Sequence, residues 1–161
     1  MTNISKNMLF EALVFKLIEW YKQTSWKTSN DLSKLKLLKL LFLWVAKNKD
    51  YLKEFKFYSW DLWPVEKDIY QSIKNGDISN FRIDNSNTTP LINNYTPYWE
   101  AKEFAESTVK YLKSENPSLI LLWAYDLVHI THKWNCWNLT QNFGIEEISE
   151  NLILSEQWYY S

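Results

Sequence analysis

One segment, from Asn30 to Ala46, constrains the fold more than any other part of the chain. Asn30 or Asp31 offers a cap for a helix that continues to about Ala46, and beyond Leu37 this helix is apolar on most of its sides. A helix that is apolar all round is usually buried, so we predict that it is central and that the other elements pack around it. The chain has 161 residues, which suits one domain covering residues 1–161.

Helical patterns also cover much of the remaining sequence. Apolar residues recur mostly at three- and four-residue steps, and at three places a proline stands where a first helical turn can accept it. We predict further helices from Ser5 to Gln23, Val65 to Asn75, Thr96 to Lys113, Asn116 to His132 and Ile145 to Tyr159. In the fourth of these, Leu119 to Trp123 is apolar on several faces and is expected in the core.

Two stretches lack a helical pattern. Phe55 to Trp60 alternates as a short strand would, and Ile78 to Tyr95 is rich in Asn, Ser and Thr without a clean period. We expect the second stretch to be a long loop that faces a partner or is mobile. The sequence therefore predicts a mainly α, compact single-domain fold with one short extended segment or a small β-hairpin.

The scarcity of glycine bears on cofactor binding. The chain has two glycines, Gly76 and Gly144, which are far apart. The turns that hold phosphates in dinucleotide-binding and P-loop proteins need two or three glycines within a few residues. We therefore expect neither kind of phosphate site, and we expect no cofactor.

Charge and cysteine content indicate the setting of the protein. The formal net charge is −1 and Arg82 is the single arginine, which disfavours a nucleic-acid partner. The longest apolar runs are seven residues, too short to cross a membrane, and charged residues interrupt the first 25 residues, unlike a secretory signal. A single cysteine, Cys136, cannot form an internal disulfide, so we expect a cytoplasmic protein.

Aromatic residues make up 17% of the chain, and they serve either a bulky core or a contact surface. The segment from Trp60 to Tyr70 has an aromatic residue every few positions around Pro64, next to charged groups. The segment from His132 to Trp137 is similar in character. Composition alone favours core packing for both, because aromatic side chains are mostly buried.

Asp126, His129, His132 and Cys136 allow two chemical hypotheses, a metal site or a small cysteine hydrolase. A structural zinc site usually needs four ligands in two close pairs, and a thiol nucleophile needs a positioned base. We interpret Asp126 and His129 as hydrogen-bonded to each other or capping the helix end, and Cys136 as a small buried residue. We therefore expect no catalytic residues and no metal.

The order of several short motifs resembles the Panacea-domain family, which includes SocA-like antitoxins and GepA-like proteins of mobile genetic elements. The motifs are the Leu-rich helix from Leu35 to Phe42, the aromatic run that ends in Pro64-Val65 and Tyr70, and Thr131-His132 followed by Trp137. The stretch from Ile148 to Tyr160 is similar to the closing segment of that family. Two positions depart from the pattern. Members of the family usually have glycine where this chain has Trp63, and they often have proline where it has Cys136.

The resemblance implies a helical antitoxin that neutralises a separately encoded protein toxin by direct contact, in a hetero-complex or as a homo-oligomer. Residues assigned to partner contact are Trp60, Trp63, Pro64, Asp68, Tyr70, Phe81, Tyr95 and Trp134. Residues assigned to holding the motif together are Val65, Thr131, His132 and Trp137. The alternatives are an adaptor that delivers a partner to a protease, the small metal- or cysteine-dependent hydrolase, and a DNA-binding repressor.

Overall fold

The computed structural model describes residues 4–46, 48–59, 64–134, 136–137, 140, 147–154 and 160. The fold is mainly helical, as predicted. The helices are α1 (Lys6–Ser25), α2 (Lys34–Val45), α3 (Lys49–Leu52), α4 (Lys67–Asn75), α5 (Trp99–Glu115), α6 (Ala124–His132) and α7 (Glu150–Leu154). A 3-10 turn spans Leu119–Leu121, and the described strands are β1 (Phe57–Ser59), β2 (Pro64–Glu66), β3 (Phe81–Ile83) and β4 (Thr88–Pro90). No helix in these ranges is long and apolar enough to cross a membrane.

The central helix is α2, and its burial confirms the prediction from the sequence. Every residue from Leu37 to Ala46 is buried. The cap of this helix is Ser33 instead of Asn30 or Asp31, because the Ser33 hydroxyl oxygen accepts a hydrogen bond from the Lys36 backbone N–H at 3.2 Å. Asn30 acts one step earlier, where its side-chain oxygen accepts from the backbone N–H of Leu32 at 3.1 Å.

Helices α1 and α5 pack side by side, and α5 also contacts α2. Their facing apolar side chains, such as Leu13 and Ala105, are fully buried. At the rim, the Lys16 ammonium lies 3.6 Å from a Glu106 carboxylate oxygen. Helix α1 begins at the Ser5 cap, as predicted, and ends where Trp26 takes a left-handed conformation with φ 61°.

Strands β1 and β2 form a small antiparallel hairpin, with Phe57 opposite Glu66 and Ser59 opposite Pro64. The extended pattern from Phe55 to Trp60 is thus confirmed for Phe57–Ser59. The expectation that Pro64 opens a helix is wrong, because Pro64 lies in β2 and α4 begins at Lys67. Helix α4 ends at Gly76, whose φ of 74° suits glycine, as the sequence predicted.

The stretch from Ile78 to Tyr95 is not one long loop. It contains a second antiparallel hairpin, in which Ile83 of β3 lies opposite Thr88 of β4. Thr88 also contacts the start of α2: its hydroxyl donates to the Leu32 carbonyl at 2.6 Å, and its own carbonyl accepts from the Asn30 amide at 2.9 Å. These contacts join residues more than 50 positions apart, so no local pattern indicates them.

The helix predicted from Asn116 to His132 is divided in two. Leu122 has an extended backbone with ψ 145°, which separates the 3-10 turn from α6. The Asp126 carboxylate caps α6 by accepting from the Trp123 backbone N–H at 3.0 Å. As a result, Leu119 and Ile120 are buried as expected, whereas Leu121 and Trp123 are exposed, so their assignment to the core is wrong.

The C-terminal part of the chain packs on β1 and α2. The Ile148 backbone N–H donates to the Phe57 carbonyl at 2.8 Å. The Tyr160 hydroxyl donates to the Leu43 carbonyl at 3.0 Å, and burial raises the pKa of this phenol. Of the helix predicted from Ile145 to Tyr159, the structure describes Glu150–Leu154 as helical, and much of the remainder lies outside the described residues.

Candidate functional site

The junction of β2 and α4 holds several residues that the sequence assigned to partner contact. Pro64 and Val65 are buried, so the assignment of Pro64 to partner contact is wrong, and both residues support the segment from inside the fold. Glu66 is also buried and caps α4, where one carboxylate oxygen accepts from the backbone N–H of Asp68 at 2.8 Å. Its other oxygen lies 2.9 Å from the Lys6 ammonium. The buried carboxylate of Glu66 therefore fixes the backbone conformation where β2 ends and α4 begins.

The outer side of α4 carries Asp68 and Tyr70. Asp68 is exposed and forms an ion pair with Lys6, while Tyr70 is half-buried under the Lys34 ammonium, 4.8 Å above its ring. Burial opposes the charge on Lys6, but its hydrogen bonds to Asp68 and Glu66 outweigh that cost and raise its pKa. The polar and aromatic groups of α4 are thus held by α1 and α2 at an accessible surface.

Two aromatic residues assigned to partner contact belong to the core instead. Trp134 is fully buried, with its ring centroid 5.0 Å from that of Phe42, and Phe81 is buried with its ring 5.3 Å from Tyr95. Both assignments are corrected, because a side chain enclosed by its own fold cannot reach a partner. The sequence favoured core packing for aromatic residues in general but did not distinguish these two.

Tyr95 lies at the boundary between core and surface. It is half-buried, and its ring packs against Phe15 at 5.4 Å and against Phe81 at 5.3 Å. Burial, together with the charge of Glu11, raises the pKa of its hydroxyl. Tyr95 is therefore only partly accessible to solvent. Trp60 and Trp63, also assigned to partner contact, lie outside the described residues.

The residues assigned to holding the motif together make contacts of a structural kind. The His132 and Trp137 rings stack with centroids 4.1 Å apart and an interplanar angle of 17°. Thr131 is buried, and its hydroxyl donates to the Val128 carbonyl at 2.9 Å. The Thr131-His132 and Trp137 parts of the pattern are thereby brought into contact.

The polar residues considered for chemistry have different environments. Cys136 is buried, His129 is exposed, and Asp126 is used as the cap of α6. Among the described residues, no group of three His, Cys, Asp or Glu side chains is arranged to hold a metal ion.

The sequence did not identify the aromatic residues that are most exposed in the described part of the chain. Trp123 and Tyr125 project at the start of α6, Tyr98 and Trp99 at the start of α5, and Trp26 at the end of α1. Each lies at a helix end, where the chain changes direction. A side chain that periodicity predicts to face the core can face solvent at such a position. A signal was present in Tyr98-Trp99, which follows Pro97 at a predicted helix start.

Trp26 is the described non-glycine residue with a positive φ, at 61°. A large side chain in the left-handed region costs about 1–2 kcal/mol, and this position of a helix usually holds glycine. The indole is also almost fully exposed, so its packing offers little compensation. Backbone strain at an exposed residue is typical of positions whose side chain contacts a ligand or a partner.

The described surface therefore carries exposed aromatic side chains at three helix ends, together with the polar and aromatic face of α4. Comparisons of the chain with models of known protein families, with curated proteins and with solved structures find no match.

Proposed function

We propose that this protein acts in the cytoplasm as an antitoxin, which binds a separately encoded protein toxin through exposed aromatic side chains and neutralises it by direct contact. The observation that carries the proposal is the exposure of three tryptophans among the described residues. Trp26 is 89% exposed, Trp123 76% and Trp99 64%. Tryptophan and tyrosine are the residues that most often supply binding energy at protein interfaces.

The exposed aromatic residues are grouped, which supports a contact surface over isolated solvent-facing side chains. Leu121, Trp123 and Tyr125 are exposed within five positions around the start of α6. The extended backbone at Leu122 and the cap from Asp126 fix this segment, so its rings are presented on ordered backbone. Preordered side chains lose less entropy on binding, which favours affinity.

The arrangement of the motifs supports the same proposal. The order of the Leu-rich helix, Pro64-Val65 and Thr131-His132 resembles the Panacea-domain family, whose members include antitoxins. In this chain the first of these motifs is the buried helix α2, while the other two flank it. The motif residues thus support the fold, and the exposed aromatic residues between them are available for a partner.

The proposal is tested by expressing the product of the neighbouring gene alone and together with this protein. We expect growth arrest with the neighbour alone, rescue by co-expression, and a complex that copurifies. Trp123→Ala is expected to weaken both rescue and copurification, whereas Asp77→Asn, which changes an exposed side chain beyond the end of α4, leaves both unchanged. A harmless neighbour, or one that forms no complex, contradicts the proposal. A partner that is degraded faster when this protein is present indicates an adaptor instead.

A further inference from the structure

A groove beside α5 has a composition that differs from the rest of the aromatic surface. It encloses about 700 Å³ between the short helix α3 and the first three turns of α5. It is lined by Tyr51, Trp99, Glu100, Glu103, Phe104, Glu106, Ser107 and Lys110. Aromatic and acidic side chains thus face the same concave space, with Lys110 at the end farther along α5.

The floor of the groove is rigid because its rings pack on one another. Phe104 is buried, and its ring centroid lies 4.8 Å from Tyr51 and 4.6 Å from Trp44, both nearly edge-on. Phe55 stacks on the other side of Phe104 at 6.0 Å. Tyr51 and the exposed Trp99 stand over this floor, so two rings border the opening.

The electrostatic field in the groove is negative. Burial raises the pKa of the Tyr51 hydroxyl, and the charges of Glu54, Asp50, Glu103 and Glu100 raise it further. Within the described ranges, Glu103 and Glu54 form no ion pair, whereas Glu106 lies near Lys16 and Lys102. The Glu103 carboxylate, which lines the groove, is therefore available to pair with a cation there.

Rings and carboxylates together recognise one kind of group well. A cationic side chain gains from the face of a tryptophan or tyrosine ring and from a carboxylate at the same time. An anion or a nucleic-acid backbone would be repelled by this field, and a wholly apolar segment would leave the carboxylates without a partner.

We propose that this groove receives a lysine- or arginine-bearing segment of the partner protein, with the cationic side chain between Trp99 and Tyr51 and paired with Glu103. The inference rests on the proposed function, because it names the chemistry that one of the exposed aromatic surfaces recognises. The groove selects a partner segment that carries positive charge. The exposed side chains of Leu121, Trp123 and Tyr125 around the start of α6 contribute apolar contact.

The test uses a nine-residue peptide of alternating alanine and arginine, blocked at both ends, and a second peptide in which neutral citrulline replaces arginine. Binding to the full chain is followed by NMR through the indole N–H signals. We expect the arginine peptide to shift the signal of Trp99, assigned with Trp99→Phe, and the citrulline peptide to bind about fivefold or more weakly. Raising the salt concentration is expected to weaken the arginine peptide selectively.

Matched variants assign the binding to the groove. Glu103→Gln and Trp99→Ala are each expected to weaken the arginine peptide about two- to fivefold, while Asp77→Asn, which removes an exposed carboxylate elsewhere, has no effect. Equal binding of the two peptides, no binding of either, or insensitivity to Glu103→Gln overturns the inference.

A second arm separates this inference from the proposed function. The same variants are tested for complex formation with the product of the neighbouring gene. A complex that is weakened by Trp123→Ala but unaffected by Glu103→Gln and Trp99→Ala overturns the groove and leaves the antitoxin proposal standing. Failure of the wild-type protein to form a complex contradicts the antitoxin proposal, whatever the peptides show.

Discussion

The ammonium of Lys36 lies 2.7 Å from a carboxylate oxygen of Asp31, although Lys36 is fully buried at the start of the central helix. It also donates to the Ile120 carbonyl at 2.6 Å, which ties the 3-10 turn to α2. Burial lowers the pKa of Lys36, and the bond to Asp31 opposes that effect. Asp31 is thus the hydrogen-bonded carboxylate that compensates this buried charge, and the charge of Asp126 adds to its effect.

We predict that Asp31→Asn lowers the free energy of unfolding by about 1–3 kcal/mol at pH 7, since it leaves the Lys36 charge poorly compensated. The unfolded chain binds a proton at Lys36 more tightly than the folded chain, so stability linked to this group rises with pH up to about 10.5. The loss in the variant is therefore expected to shrink between pH 7 and pH 9.5.

Urea denaturation at the two pH values measures this effect. Asp77→Asn serves as the matched control, because Asp77 is exposed and the same charge is removed. An Asp31→Asn protein with the wild-type midpoint at pH 7 would show that the bond to Asp31 contributes nothing to stability.

Glu66 supports both a helix end and an ion pair, so we predict that Glu66→Gln costs about 1–2 kcal/mol. The amide keeps an oxygen for the backbone N–H groups of Asp68 and Ile69 but loses the charge that Lys6 contacts at 2.9 Å. Because the pKa of Lys6 is raised, its contribution is complete below about pH 10.5 and is lost above its folded-state pKa. Thermal denaturation at pH 7 checks the loss, and Glu66→Ala is expected to lose more because it also removes the cap.

The strained backbone at Trp26 leads to a stabilising substitution. We expect Trp26→Gly to raise the free energy of unfolding by about 0.5–1 kcal/mol, because glycine adopts φ 61° without a clash of its Cβ atom. Trp26→Ala is the matched control, since it removes the same indole but keeps the Cβ and should bring no such gain. Both are measured by urea denaturation, and equal stabilities for the two variants would assign the effect to the indole instead of the backbone.

Trp134 and Trp123 offer a direct comparison between a core and a surface tryptophan. Trp134→Ala removes a fully buried ring and is expected to cost about 3–5 kcal/mol, whereas Trp123→Ala should change stability by less than about 0.5 kcal/mol. Chemical denaturation monitored by circular dichroism measures both. Comparable losses for the two variants would mean that Trp123 packs within the fold.

Local pattern predicted the elements whose environment is set by their own sequence. The all-round apolar character of α2 requires burial wherever the helix lies, and Gly76 ends α4 because its backbone accepts a positive φ. By contrast, the hairpin of β3 and β4 depends on Thr88 reaching Leu32 and Asn30. Contacts of that range leave no periodic trace in the sequence.

The candidate site was harder to predict for a related reason. Trp123 and Trp134 are both tryptophans, the first within the helix predicted from Asn116 to His132 and the second two residues beyond it, yet one is exposed and the other buried. The predicted helix is interrupted at Leu122, whose extended backbone separates the buried Leu119 and Ile120 from the exposed Trp123. Composition carries no information about where such an interruption falls.

The contacts of Thr88 and Asn30 also connect the surface to the interior mechanically. The β3–β4 hairpin is hydrogen-bonded to the residues that lead into α2. A force applied to the hairpin is therefore transmitted to that buried helix. Amide hydrogens in the hairpin should consequently exchange with solvent in step with those at the beginning of α2, as one cooperative unit.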